Sequence, residues 1–144
     1  MIAIDTNILV NAHRRDSGWH AEAAAAVRIL AEGSSAWAIP WPCLHEFLAI
    51  VTHPRIFDPP STIKESLAQV DAWLASPTVA LIGESPDHWS RLRESIVRGN
   101  IRGPMVHDAR IAAICSAHGI SLLYTADRDF SRFPSLATHN PLIA

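Results

Sequence analysis

Met1-Ile2-Ala3-Ile4-Asp5-Thr6-Asn7 opens the chain, and this heptad decides the fold class. A short apolar run of extended character ends in three good helix-capping residues, so the expected structure is a strand turning directly into a capped helix. Outward from it the same alternation repeats. Trp19 to Glu32 is Ala-rich, free of breakers and stopped by Gly33-Ser34-Ser35, which reads as a helix. Ala36 to Ile39 is the next strand. Pro40-Trp41-Pro42 punctuates before an apolar helix from Leu44 to Thr52, closed by His53-Pro54. Ser61 or Thr62 then caps a helix that runs to about Leu74, where Ile63, Leu67, Val70 and Leu74 recur at helical spacing and predict one buried face. Thr78 to Ile82 is a third strand, and Pro86 or Asp87 opens a helix to about Arg98. Gly99 to Pro104 is a loop, Ala109 to His118 a helix, Ser121 to Tyr124 a fourth strand, and Leu136-Ala137-Thr138 a short fifth. Strands alternating with helices predict an α/β fold with a parallel sheet of four to five strands, covered by helices on both faces.

Composition narrows the function. The 144 residues, 49% hydrophobic and 18% charged, suit one globular domain over residues 1–144 rather than a disordered chain. No run of eighteen apolar residues exists, because His45 and Glu46 interrupt the best candidate, so no membrane span is expected. The first residues carry no basic region of the kind that a signal peptide needs. Cys43 and Cys115 alone give no disulfide framework, which points to a reducing, cytoplasmic setting. A net charge of −2 argues against a protein that coats duplex DNA. The basic residues are eleven Arg against one Lys, Lys64.

Most of the fourteen acids lie in polar helices, caps or turns. Four do not. Asp5 ends an apolar run and precedes Ile8-Leu9-Val10, Glu46 sits in Leu44-His45-Glu46-Phe47-Leu48, Asp108 lies between Met105-Val106 and Ile111-Ala112-Ala113-Ile114, and Asp127 follows Leu122-Leu123-Tyr124-Thr125. A buried carboxylate without a partner costs several kcal/mol, so each should be paired or bound to a cation. Asp5 and Asp127 both follow strands and belong on the rim where parallel sheets bind ligands. If the four converge, their repulsion calls for a divalent cation, and a carboxylate-rich oxygen site suits Mg²⁺ or Mn²⁺. Asp129, two residues beyond Asp127, competes with it for the fourth position or else shapes a turn. Arg91, Arg93, Arg98, Arg102 and Arg110 put five cations within twenty residues as candidate holders of a nucleic-acid backbone.

In order, Ile-Asp-Thr-Asn, a mid-chain Glu in an apolar helix, His-Asp-Ala-x-Ile-Ala-Ala and Leu-x-Thr-x-Asp-x-Asp-Phe resemble the PIN-domain nucleases. The whole chain is similar to VapC-type toxins of toxin–antitoxin pairs, with further matches at His53-Pro54-Arg55-Ile56-Phe57, Phe130-Ser131-Arg132-Phe133-Pro134 and Asn140-Pro141-Leu142. That resemblance implies a PIN-like α/β/α sandwich and a Mg²⁺-dependent endoribonuclease. Its catalytic acids would be Asp5, Glu46, Asp108 and Asp127, with metal held by Asp5, Asp108 and Asp127 and support from Thr6, Asn7 and Asp129. It further implies an RNA substrate, a cognate VapB-type antitoxin and a homodimer, for which the helices Ala21 to Leu30 and Ile63 to Leu74 are candidate contacts.

Rival readings fare worse. A phospho-aspartate receiver needs a Lys after a late strand, and Lys64 precedes a mid-chain helix. A haloacid-dehalogenase-like phosphatase needs a second acid where Asn7 stands. The histidines and two distant cysteines lack zinc-ligand spacing. A catalytically silent binding module, whose acidic pocket only receives a partner protein, remains the alternative to the enzyme.

Overall fold

A computed structural model describes residues 1–143. Five strands, β1 (Ile2–Ile4), β2 (Trp37–Pro40), β3 (Val79–Ile82), β4 (Leu122–Tyr124) and β5 (Thr138–His139), form one parallel sheet in the order β3-β2-β1-β4-β5. Six helices flank it: α1 (Thr6–His13), α2 (His20–Glu32), α3 (Trp41–Val51), α4 (Ile63–Leu74), α5 (His88–Gly99) and α6 (Val106–Ala117). Helices α1 to α4 pack on one another and α5 packs on α6, giving an α/β/α sandwich. Strand β1 sits at the centre, and Ala3, Ile4, Ile39 and Leu123 on the three middle strands are fully covered. Both faces are buried there, so these strands read as unbroken apolar runs.

Local chemistry explains the boundaries. Asp5 caps α1 through Thr6 N, as its place after the first strand predicts. Helix α3 begins at Trp41, three residues before the expected Leu44, because Pro42 falls in the first turn, where its missing N–H costs nothing. Helix α6 begins at Val106, not Ala109, entered through a 3-10 turn, Gly103–Met105, within the expected loop. Asp108 therefore lies inside the first turn and does not cap it. The fifth strand is Thr138–His139, two residues later than expected, since Leu136 is drawn into the core.

One expectation reverses. On α4 the buried residues are Ser66, Val70 and Trp73, while Ile63, Leu67 and Leu74 are exposed. Trp73 packs on Phe47 of α3 with ring centroids 4.8 Å apart, and this large ring sets which face turns inward.

Ser76, just after α4, joins three elements. Its hydroxyl donates to Ala31 O at 2.8 Å and accepts from the buried Trp37 Nε1 at 3.1 Å. Ser76→Ala leaves that indole N–H without its acceptor, so the urea midpoint should fall by the equivalent of about 1–2 kcal/mol. An unchanged midpoint would mean that water serves the indole equally well.

Candidate active site

The chain runs outward from β1 through β2 to β3, then crosses back to β4 on the other side of β1. The sheet order thus reverses between β1 and β4, and a crevice opens there at the strands' carboxyl ends. Asp5 leaves β1 at this point, and Thr125-Ala126-Asp127 leaves β4. Pairing continues past the strands, with Asp5 N donating to Tyr124 O at 2.9 Å.

Asp5 is buried, and its carboxylate is saturated with donors. Oδ1 accepts from Thr6 N at 2.8 Å and from the Cys43 thiol at 3.5 Å. Oδ2 accepts from Thr125 Oγ1 at 2.7 Å and Asn7 Nδ2 at 3.1 Å. Burial pushes the Asp5 carboxyl above its ordinary value, and these hydrogen bonds oppose the rise. Asn7 also accepts from Ala126 N at 2.9 Å, lacing the end of β1 to the end of β4. Thr125 Oγ1 accepts from Asp127 N at 3.0 Å, so one hydroxyl orients both acids.

The other acids arrive from separate elements. Asp108 comes from the first turn of α6, and Asp127 and Asp129 from the cap and first turn of the 3-10 turn Arg128–Arg132. One oxygen of each lies within 4.8 Å of the others, a spacing that a single cation can bridge. Asp127 Oδ1 accepts from Asp129 N at 2.8 Å, so the same short turn presents both carboxylates. Sequence reasoning set these two in competition; the turn brings them together. Glu46 projects from α3 and is exposed, unlike the sheltered acid that its apolar neighbours suggest, because it points out of the helix into the open cleft. Thr6 Oγ1 donates to its Oε2 at 3.2 Å.

Asp5, Thr6, Asn7, Glu46, Asp108, Asp127 and Asp129 all line one cleft of about 710 Å³. Its far wall is apolar, built from Pro42, Ala49 and Ile50 of α3 with Met105 and Ile111. Among the described residues the single Arg or Lys lining it, Arg110, is held to Glu84 by a 2.5 Å ion pair. Five carboxylates therefore share a space whose only guanidinium is already engaged. Desolvation first, and then Asp127, Asp5, Asp129 and Glu46, push the Asp108 carboxyl up to about 6 from its ordinary 3.8.

Sequence reasoning missed Thr125 and Cys43 as parts of the site. Thr125 was visible within Leu-x-Thr-x-Asp as a hydroxyl at a strand end. Nothing in the sequence marked Cys43, whose thiol reaches Asp5 because α3 packs on β2 and on α1, the helix that Asp5 caps.

A parallel α/β/α sheet with carboxylates gathered at its switch point defines an acidic-cleft protein suited to a divalent cation. The PIN domain family model matches residues 2–136. VapC ribonuclease Mb2897 of Mycobacterium bovis is 32% identical over 142 residues, covering 99% of this chain and 96% of that protein. Among solved structures, VapBC2 of Rickettsia felis bound to a promoter DNA fragment has a TM-score of 0.68 at 23% identity, covering 97% of this chain and 98% of that one. VapC20 of Mycobacterium tuberculosis, described as a sarcin-ricin loop cleaving toxin, has a TM-score of 0.67 at 21% identity, covering 91% and 93%. The chain belongs to the PIN domain family, in which its relatives are the VapC ribonucleases.

Proposed function

We propose that this chain is a Mg²⁺-dependent endoribonuclease that acts as the toxin of a toxin–antitoxin pair, Mn²⁺ being the natural substitute ion. The observation that carries the reading is the Asp108–Asp127–Asp129 cluster, with oxygens within 4.8 Å and no cationic side chain among them. Hard oxygen donors at this density fit a small divalent cation and suit zinc or copper poorly. Asp5, Asp108 and Asp127 are assigned to hold it, with Asp129 beside them. Bound there, the cation neutralises the carboxylates and polarises the phosphodiester and a water.

The protein's own groups do the remaining work. Thr125, Asn7 and Thr6 N fix the rotamer of Asp5 before substrate arrives, so no ordering is needed at the moment of reaction. Glu46, held by Thr6 and open to solvent, is placed to orient the attacking water, accept its proton and pass it to bulk. Asp127 is the other candidate for that proton. Removing the metal with EDTA and restoring activity by adding Mg²⁺ to purified protein separates this enzyme from a silent binding module. Cleavage that persists in EDTA overturns the reading.

Structural neighbours described as VapBC, from Rickettsia felis and Salmonella typhimurium, and one described as a toxin-antitoxin complex support a VapB-type antitoxin as partner. No helix among the described residues is long and apolar enough to cross a membrane. The reversed face of α4 supports a homodimer, since Ile63 and Leu67 are 72% and 50% exposed. Leu67→Glu should halve the mass measured by light scattering while leaving the circular dichroism unchanged. A mass that stays dimeric moves the contact elsewhere, with Ile29 on α2 the next apolar residue to substitute.

A further inference from the structure

We propose that the groove between α5, α6 and the segment after the Arg128–Arg132 turn holds backbone phosphates of the RNA strand whose cleavage the acidic cleft performs. This rests on the ribonuclease reading and adds where the strand runs. Arg91, Arg98 and Arg132 line a groove of about 260 Å³, with Ser116 and Ala112 of α6 on its wall. The five-arginine cluster of the sequence divides here. Arg110 is in the cleft, Arg93 lines an adjoining depression on α5 that shares Glu94 and Arg98 with the groove, Arg102 lines none of the three, and Arg91 and Arg98 join Arg132 from a different part of the chain.

Two of the groove's three guanidinium groups, those of Arg98 and Arg132, are available to a ligand. Arg132 donates to Gly99 O at 3.3 Å and makes no ion pair among the described residues. The Arg98–Glu94 pair is 3.3 Å long with side chains 76% and 61% exposed, and a pair so exposed is worth little and yields readily to a phosphate. Arg91 is bonded to Ser116 at 3.0 Å and paired with Asp87 at 2.8 Å, so it shapes the groove wall while Arg98 and Arg132 supply the charge.

Geometry links groove and cleft. On α6, Asp108, Ala112 and Ser116 are spaced four residues apart and form one stripe about 12 Å long that starts among the acids and ends at Arg91. On the 3-10 turn, residues three apart stack on one side, so Asp129 and Arg132 share a face. A strand held at the acids therefore meets cations on the path that both elements mark. The cleft itself offers no free guanidinium to grip a polyanion, and the groove supplies this.

The test compares the full chain with Arg98→Ala, Arg132→Ala and the double variant, and with Arg98→Lys and Arg132→Lys as charge-conserving controls. Binding of a short fluorescent single-stranded oligoribonucleotide is followed against salt in an Asp5→Asn background. Each phosphate contact removed should lower the slope of log K against log salt by about 0.7 and weaken binding about fivefold near 0.1 M salt, with the Lys variants close to the parent. Cleavage of a dinucleotide, too short to reach the groove, should be unchanged in the otherwise native protein. An unaltered salt slope in the double variant overturns the proposal while leaving the nuclease intact. Inorganic phosphate that binds the groove without competing with RNA overturns it too, showing a free-anion pocket. A parent chain that neither binds nor cuts RNA overturns the ribonuclease reading and this one with it.

Discussion

Asp108→Asn protein is expected to fold, to be more heat-stable than the parent in the absence of metal at neutral pH, and to cleave RNA on the order of 10³-fold more slowly. The two effects have one cause. Asp108 makes no side-chain hydrogen bond among the described residues, and its charge is opposed by partial burial and four neighbouring acids. The amide keeps the volume and removes that repulsion, so the metal-free fold relaxes. The same change deletes a negative oxygen from the Asp108–Asp127–Asp129 cluster, and with it the charge that attracts a cation. Asp5→Asn should lose as much activity without the gain in stability. Its Oδ2 serves two donors, Thr125 Oγ1 and Asn7 Nδ2, and an amide nitrogen placed there would face another amide nitrogen. Thermal melts with EDTA and cleavage assays with Mg²⁺ on the same preparations measure both. An Asp108→Asn protein that is folded and cuts at the parental rate ends the assignment of the site.

Adding Mg²⁺ to metal-free protein should raise its thermal midpoint strongly above pH 6 and hardly at all near pH 4. Asp108 has a carboxyl raised in the fold, to about 6 against 3.8, so the folded protein holds its proton where the unfolded chain has released it. Between those two values the unfolded state binds fewer protons, and the metal-free fold loses stability as pH rises. Above about 6 both states are ionised and the loss is complete. This is opposite in sign to an ion-paired acid such as Asp16, whose carboxyl Arg14 lowers and whose contribution disappears as pH falls. A cation binds the ionised cluster, so its stabilisation grows over the same window, reaching about 2.7 kcal/mol at a hundredfold excess over Kd. Subtracting the Asp108→Asn melts from the parental ones at each pH isolates the effect. A pH-independent Mg²⁺ shift would place the ion on some other part of the surface.

The acids themselves were legible in the sequence because each broke a local rule. Asp5 at a strand end, Asp108 between apolar runs and Asp127 after β4 sit where a solvated carboxylate has no reason to be, and they line the cleft. Glu46 broke the same rule and was found for a partly wrong reason: its helix is apolar, yet the side chain is exposed, lining the cleft's open lip. Helical spacing failed on α4, since Ile63, Leu67 and Leu74 satisfy the same periodicity whether they face the core or another surface. Trp73, one ring among several apolar residues, decided the matter through its fit against Phe47. The early start of α3 and α6 escaped because a proline before or within a first turn reads as punctuation, although helix geometry tolerates it there.

Taken alone, the sequence determined the alternation of strand and helix, the parallel sheet and the identity of the unusual acids, because periodicity, capping and misplaced charge are all local signals. Only the tertiary structure decided that Asp127 and Asp129 lie side by side, that Thr125 and Cys43 hold Asp5, and that Arg132 joins Arg91 and Arg98. Those relations depend on which strand lies beside which and how the helices rotate onto the sheet, and distances of this kind arise from packing between segments far apart in the chain.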